Sequence, residues 1–452
     1  MNQRSKIAAV MVIAGTICLP VYAVQESGLF IEDVTLIDGT GRPPQAGTSV
    51  LVRGNRIERV GDAIQAPSGV RRIDGTGKYL IPGLMDMHVH IRGIPDGNLY
   101  VGSQKGDYER VGVQVLHSYL YSGVTSVFDS GNRPDFIMGL REKERSGAIT
   151  SPRIFATGGI VTAPGSHGGF EGATLVDDWP EAIAKLDEHI AREPDMVKLT
   201  YEERGWGSRP QIPLLDLGLM QRIIEYYNNH GIRATVHTSN ENRTREAIFA
   251  GVDALSHPMS IRGPITEDFA RLMGAKKIPT VSTLTIGENY SRLVDDPAFL
   301  DQPLYQATLE PAEIERLRTE ERPKQQARPW TWWMKVMTPI AQENIRMVHE
   351  QGGVIVAGTD QSLGPALHRE MELLVAAGLS PADVIRCATL NGAIFLGKSD
   401  ELGSVEEGKL ADLVLLDADP TEDIDNAKRI SLVIKNGQAI DLSELDLPVN
   451  RR

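Results

Sequence analysis

The stretch that decides the fold is Ile81-Pro82-Gly83-Leu84-Met85-Asp86-Met87-His88-Val89-His90. Before it the chain shows short β patterns and no helical period; from Pro82-Gly83 onward, strand-like runs alternate with helix-like ones. The run ends in His88-Val89-His90. Residues two apart on a strand share a face, so both imidazoles can point the same way at the strand's C-terminal end.

Working outward, seven more apolar runs read as strands: Thr125–Asp129, Arg153–Thr157, Met196–Tyr201, Arg233–His237, Ala254–His257, Thr280–Leu284 and Val354–Thr359. Helical patterns such as Pro180–Arg192, Leu214–His230 and Glu241–Ala250 lie between them. Eight such units predict a parallel (β/α)8 TIM barrel. An open doubly wound sheet is the competing topology, and no dinucleotide loop supports it. Gly392-Ala393-Ile394-Phe395-Leu396-Gly397-Lys398-Ser399 fits the phosphate-loop spelling. It is preceded by a helix rather than a strand, and its middle is bulky and apolar. Gly397 is better read as a helix C-cap.

Both ends of the chain predict β structure. Leu29–Ile37, a hairpin around Gly54-Asn55, and Arg72–Ile81 precede the barrel. Ser380-Pro381-Ala382-Asp383 starts a helix running towards Leu396, and Ala411–Leu416 and Ser431–Asn436 return to strand character. The expected organisation is a signal peptide (1–23), a barrel (83–395), and a small β-sandwich assembled from 24–82 and 396–452. An insertion at about 285–340 holds Pro303, Pro311, Pro323, Pro329 and Trp330-Thr331-Trp332-Trp333. It reads as a lid, an oligomer contact, or simple packing of the tryptophans on the barrel.

The leader has Arg4 and Lys6, an apolar run from Ile7 to Leu19, and the small-residue site Val21-Tyr22-Ala23. This predicts export to the periplasm or medium, with no membrane association after cleavage. The loss of Arg4 and Lys6, with no acid in the same stretch, takes the net charge from −13 to −15. An acidic surface argues against nucleic acid as a partner. Of two cysteines only Cys387 remains after cleavage, so no internal disulfide is possible.

The chemistry collects at strand ends. His88 and His90 close the first barrel strand, Lys198 lies in the fourth, His237 ends the fifth, His257 ends the sixth, and Asp360 follows the eighth. Barrel enzymes carry their sites on this face, and such nitrogen and oxygen donors suit zinc or a similar divalent metal. Lys198 is the odd member. A lysine buried beside cations has its pKa pushed down by desolvation and like charge. Alternation alone leaves open whether it faces inward or outward. The other histidines (His117, His167, His189, His230, His349, His368) mostly fall in helical or loop patterns and read as structural.

The sequence resembles the metal-dependent amidohydrolase superfamily over essentially the whole mature chain. The matching stretches are 81–90, Gly123-Val124-Thr125-Ser126, Ser256-His257, Ala357-Gly358-Thr359-Asp360, and the tail Gly403–Val414. The resemblance implies two divalent metals, zinc by expectation, with Lys198 carboxylated and spanning both. His88, His90 and Asp360 would hold one metal, and His237 and His257 the other. Asp360 would orient a water shared by the metals, take its proton, and return a proton to the leaving amine. The chain looks most like the branch of Xaa-Pro dipeptidases, carboxypeptidase-like amidases and ochratoxin-hydrolysing enzymes. The Gly165-Ser166-His167-Gly168-Gly169 loop belongs to that likeness. His167 is then expected near the substrate carbonyl or carboxylate, and Tyr201 as a donor to the oxyanion. Arg92 and Arg262 are candidate cations for a substrate carboxylate, with a surface role the preferred reading of each. The expected substrate is a dipeptide or N-acyl amino acid amide, and the expected assembly a homo-oligomer. The alternatives are a one-metal deaminase or cyclic-amide hydrolase like imidazolonepropionase, a lactonase or esterase, and an inactive barrel that only binds.

Overall fold

The computed structural model describes residues 28–91, 108–203, 211–257 and 263–451. The predicted signal peptide lies outside them. Among the described residues no helix is long and apolar enough to cross a membrane.

The eight barrel strands are Leu84–Val89, Val124–Asp129, Arg153–Ala156, Met196–Thr200, Arg233–His237, Ala254–Ser256, Thr280–Val281 and Ile355–Val356. The first three pair in parallel, as do the last five. Two seams close the ring. Asp195 N–H donates to the Ala156 carbonyl across the third and fourth strands. Met87 N–H donates to the Ala357 carbonyl across the first and eighth. The fold is therefore the expected (β/α)8 barrel, because each strand offers one face to its interior and the other to the helical layer.

The interior at the lower end is filled by Met85, Met87, Phe128, Phe155, Met196, Ala254, Val281 and Val356, plugged by Ala393, Phe395 and Leu396. The last three belong to the helix Leu390–Leu396, whose C-cap Gly397 has a left-handed backbone at φ 68°. That conformation suits glycine, and the stretch is a helix end, not a phosphate loop. The expected single helix from Ser380 is two, Pro381–Cys387 and Leu390–Leu396. Thr389 between them departs from helical geometry at φ −139°.

Strands from both chain ends make the small domain. The predicted hairpin forms, with Arg53 paired to Arg56. All eight strands join into one hydrogen-bonded sheet, in which Tyr79–Pro82 pairs with Leu413–Leu416. Ile57 N–H donates to the Lys409 carbonyl, so the sheet curls back on itself around its own core. Alternation ties the two units together. Leu413 and Leu415 enter the small core, while Val414 and Leu416 enter the barrel's outer core.

The insertion is helical rather than loop-like. Pro303, Pro311 and Pro329 each open a helix, where a missing N–H costs nothing. The long helix Pro329–Glu350 buries Met334, Met337, Ala341, Ile345 and Val348. Trp332 and Trp333 are 66% and 40% exposed, so neither is a fully buried anchor of the insertion.

Candidate metal centre

The mouth of the barrel is assembled by strand phase. Met85 and Met87 face the interior and Val89 the outer layer. The ladder between the first two strands is irregular between Asp86 and Val89. That irregularity shifts the phase, so His88 and His90 both join the inner face above Met87. In the fourth strand Met196 is interior, while Val197, Leu199 and Tyr201 lie in the outer core. Lys198, Thr200 and Glu202 therefore share the inner face, which resolves the direction of Lys198. It is 2% exposed.

Asp360 sits among the imidazoles. Its Oδ1 is 3.3 Å from His90 Nε2 and 3.9 Å from His88 Nε2, and its Oδ2 is 3.7 Å from His257 Nδ1. His257 Nε2 lies 2.5 Å from His237 Nδ1. The other nitrogen of His237 is 3.1 Å from Glu202 Oε2, and Glu202 Oε1 is 3.3 Å from His167 Nδ1. The donors thus form two groups, His88–His257–Asp360 and His167–Glu202–His237. The structure brings all six expected ligands and His167 to one buried mouth. It divides them differently from the expected sets, with His257 beside Asp360 and His237 beside Glu202.

The surroundings prepare these groups for cations. His90 Nδ1 is 2.7 Å from the Gly131 carbonyl. A carbonyl only accepts, so the proton is on Nδ1 and Nε2 is left as a bare donor towards the centre. His237 Nε2 and Glu202 Oε1 are buried without an aligned hydrogen bond, a state that a bound ion relieves. The donor set of imidazoles and carboxylates therefore fits divalent metal. Burial, reinforced by the neighbouring Lys198 and imidazoles, holds His88 and His257 well below the ordinary histidine range. Burial likewise takes His167 down to about 3. These rings are neutral, as ligands must be. Burial pushes Lys198 down to about 7, against the opposing pull of Asp360 and Asp129. Burial alone would raise Glu202, but His237, His167 and the Ser239 hydroxyl together hold it below the usual carboxylate range.

Backbone geometry is special here too. His257 and Asp360 adopt left-handed conformations at φ 39° and 53°, as does Thr283 at φ 46°. Such strain in non-glycine residues clusters at functional sites. Gly358 has no room for a side chain, since a Cβ would lie 2.4 Å from Val281 and 2.9 Å from His88 N. Only glycine lets the eighth strand approach His88 this closely.

Tyr201 is a correction. It projects outward, into the layer between strand and helices, and its hydroxyl donates at 2.8 Å to Glu246 Oε2. Odd positions of this strand face away from the mouth, so Tyr201 is not an oxyanion donor. Glu202 was not anticipated, although the period of two from Lys198 places it on the inner face. His117, His189 and His368 hydrogen-bond to backbone groups, in keeping with a structural reading. Arg92 and Arg262 lie outside the described residues.

The Amidohydrolase family model matches residues 79–440. Among solved structures, the fold is similar to a Xaa-Pro dipeptidase with bound methionine (25% identity, TM-score 0.72, covering 92% of this chain and 100% of that one). It is also similar in fold to ochratoxinase of A. niger (20% identity, TM-score 0.71, covering 92% and 96%). Curated relatives match over short stretches. A deacetylase, Atu3266, of Agrobacterium fabrum is 46% identical over 48 residues, 10% of this chain and 12% of that protein. An imidazolonepropionase of Clostridium tetani is 32% identical over 77 residues, 16% of this chain and 18% of that protein. The matched stretches span less than a quarter of the length of these curated relatives. Barrel, mouth and family model agree over most of the chain, and the protein belongs to the amidohydrolase family.

Proposed function

We propose that this protein is a binuclear metal hydrolase that cleaves the amide bond of a dipeptide or N-acyl amino acid. The observation that carries the reading is the pair of adjoining donor groups in one buried mouth, linked by the 2.5 Å approach of His237 to His257. Lys198 is close enough to both to lower the pKa of His88, His257 and His167.

Two divalent ions, zinc in this proposal, supply a polarised carbonyl and a water of lowered pKa. The residues do the rest. His88, His90, His257 and Asp360 would hold one ion, and His237 would contribute to the other. The Lys198 amine would add to carbon dioxide, forming a C–N bond and releasing one proton, and the resulting carbamate would put an anion where the buried ammonium stood. Asp360 takes the proton of the attacking water on its carboxylate and returns it to the leaving amine. His167, stacked on His237 with ring centroids 4.4 Å apart, is the proposed contact for the carbonyl or carboxylate of the substrate. The substrate class is taken from the similarity to the Xaa-Pro dipeptidase. The signal-like pattern at Arg4–Ala23 supports action in the periplasm or medium.

A second reading, a one-metal cyclic-amide hydrolase, draws on the similarity to imidazolonepropionase. An ester or lactone substrate is a variation of the first, since the same water attacks it. The deciding experiment is metal content by elemental analysis, together with hydrolysis of Xaa-Pro dipeptides and N-acyl-phenylalanines. Two metals per chain, and amide cleavage lost in Lys198→Ala, support the proposal. One metal, with activity indifferent to Lys198→Ala, moves the assignment to the second reading.

A further inference from the structure

We infer that Glu202, His167 and His237 form a cation site of their own, in which a divalent ion is held without carboxylation of Lys198. The inference rests on the metal-dependent reading above, but not on the bridging carbamate within it.

Geometry carries it. Glu202 Oε1 to His167 Nδ1 is 3.3 Å, and Glu202 Oε2 to His237 Nε2 is 3.1 Å. Two ligands at zinc bond lengths in a tetrahedral shell lie about 3.4 Å apart; each imidazole stands near that spacing from one oxygen of the carboxylate, and the three ligand atoms lie within 4.8 Å of one another. His237 has committed its other nitrogen to His257 Nε2 at 2.5 Å, which leaves Nε2 for the Glu202 group. His167 and His237 stack with 10° between the rings, each with a nitrogen towards one oxygen of the same carboxylate, so one ring has to turn to bring both lone pairs onto a single ion.

The environment calls for a cation there. Glu202 is 2% exposed, and its Oε1 has no hydrogen-bond partner. His237 Nε2, equally buried, faces Glu202 Oε2 at 3.1 Å without hydrogen-bond alignment. Among the described residues, the ion-pair partners of Glu202 are these two imidazoles and no lysine or arginine. A buried carboxylate with no lysine or arginine beside it is costly until a positive charge joins it. Two imidazoles and one carboxylate are a complete protein ligand set for catalytic zinc, with the fourth position open. Glu202 then supplies the negative charge that the carbamate would otherwise bring alone.

The test uses the full chain, stripped of metal and reloaded with zinc, with and without bicarbonate. Zinc per chain and affinity by chelating-dye competition are read for the wild type, Glu202→Gln, Lys198→Ala and the double variant. Glu202→Gln should lose one ion even at saturating bicarbonate. Lys198→Ala should keep the ion that the double variant loses. Wild-type stoichiometry in Glu202→Gln, with affinity within about twofold of the wild type, overturns the inference. A wild type that binds a single ion sinks the binuclear reading, and the inference then stands only if Glu202→Gln loses that ion. Should Glu202→Gln fail to fold, Glu202→Asp decides, because it keeps the charge but withdraws the carboxylate by one methylene. A drop in zinc affinity beyond about tenfold, with the melting of the metal-free protein unchanged, supports the site. Unchanged affinity overturns it.

Discussion

Asp86 clasps Thr359 with both carboxylate oxygens: Oδ2 accepts from the Thr359 hydroxyl at 2.7 Å, and Oδ1 from its backbone N–H at 3.0 Å. Oδ1 also lies 3.3 Å from the N–H of His88. The clasp sits on the seam where the barrel closes, between the strand that ends in His88 and His90 and the strand that leads to Asp360. Asp86→Ala should strand these donors in a dry interior and cost about 2–4 kcal/mol. Urea unfolding reads the loss, and zinc affinity should fall with it, because His88 and Asp360 are positioned across this seam.

Asp360→Asn keeps the size and one oxygen of the side chain but cannot take a proton. Turnover should fall by orders of magnitude while most of the metal stays bound, since His88, His90 and His257 remain. Elemental analysis beside steady-state kinetics checks this, and near-normal kcat would remove Asp360 from the role of base.

Tyr201→Phe separates position from role. The hydroxyl meets Glu246, outside the mouth, so kcat and KM should stay within about twofold of the wild type. The lost hydrogen bond to a carboxylate should cost about 1–2 kcal/mol in stability. A large fall in kcat alone would return Tyr201 to the catalytic machinery.

His368 gives the fold an acid limit. It is buried, and its Nε2 donates to the Ser122 carbonyl at 2.9 Å. Burial lowers its pKa from 6.5 to about 4, with Lys428 adding to the effect and Glu372 and Asp425 opposing it. A histidine with a depressed folded pKa contributes stability that is complete above its unfolded value and is lost as pH falls. Between pH 6.5 and 4 the slope from this residue approaches about 1.4 kcal/mol per pH unit. His368→Gln keeps a donor for Ser122 but cannot be protonated, so its urea midpoint should fall less steeply over that window. Identical slopes in the two proteins would show that His368 does not set the limit.

Much of this was legible because local chemistry and topology coincide. The Pro82-Gly83 boundary, the Gly54-Asn55 hairpin and the Ser380 cap, whose hydroxyl accepts from Asp383 N–H, follow from residue type alone. The eight strand runs were legible because each needs one apolar face for the helical layer. The strand ends then located the mouth. The insertion was harder to read. Its prolines look like breakers in a one-dimensional reading, yet three of them open helices whose stability comes from packing against neighbours.

Sequence by itself determined the barrel, its two-ended partner domain, and the six residues gathered at its mouth, because period and position along a strand are local properties. Tertiary structure alone decided which donor faces which. The inward turn of Lys198 and the outward turn of Tyr201 depend on strand phase relative to the ring. The joint inward turn of His88 and His90 depends on an irregularity in pairing with a neighbouring strand. The meeting of Glu202 with His167 and His237 joins a strand end, a loop and a second strand. Such meetings are set by how the ring closes, and no single segment of the chain encodes them.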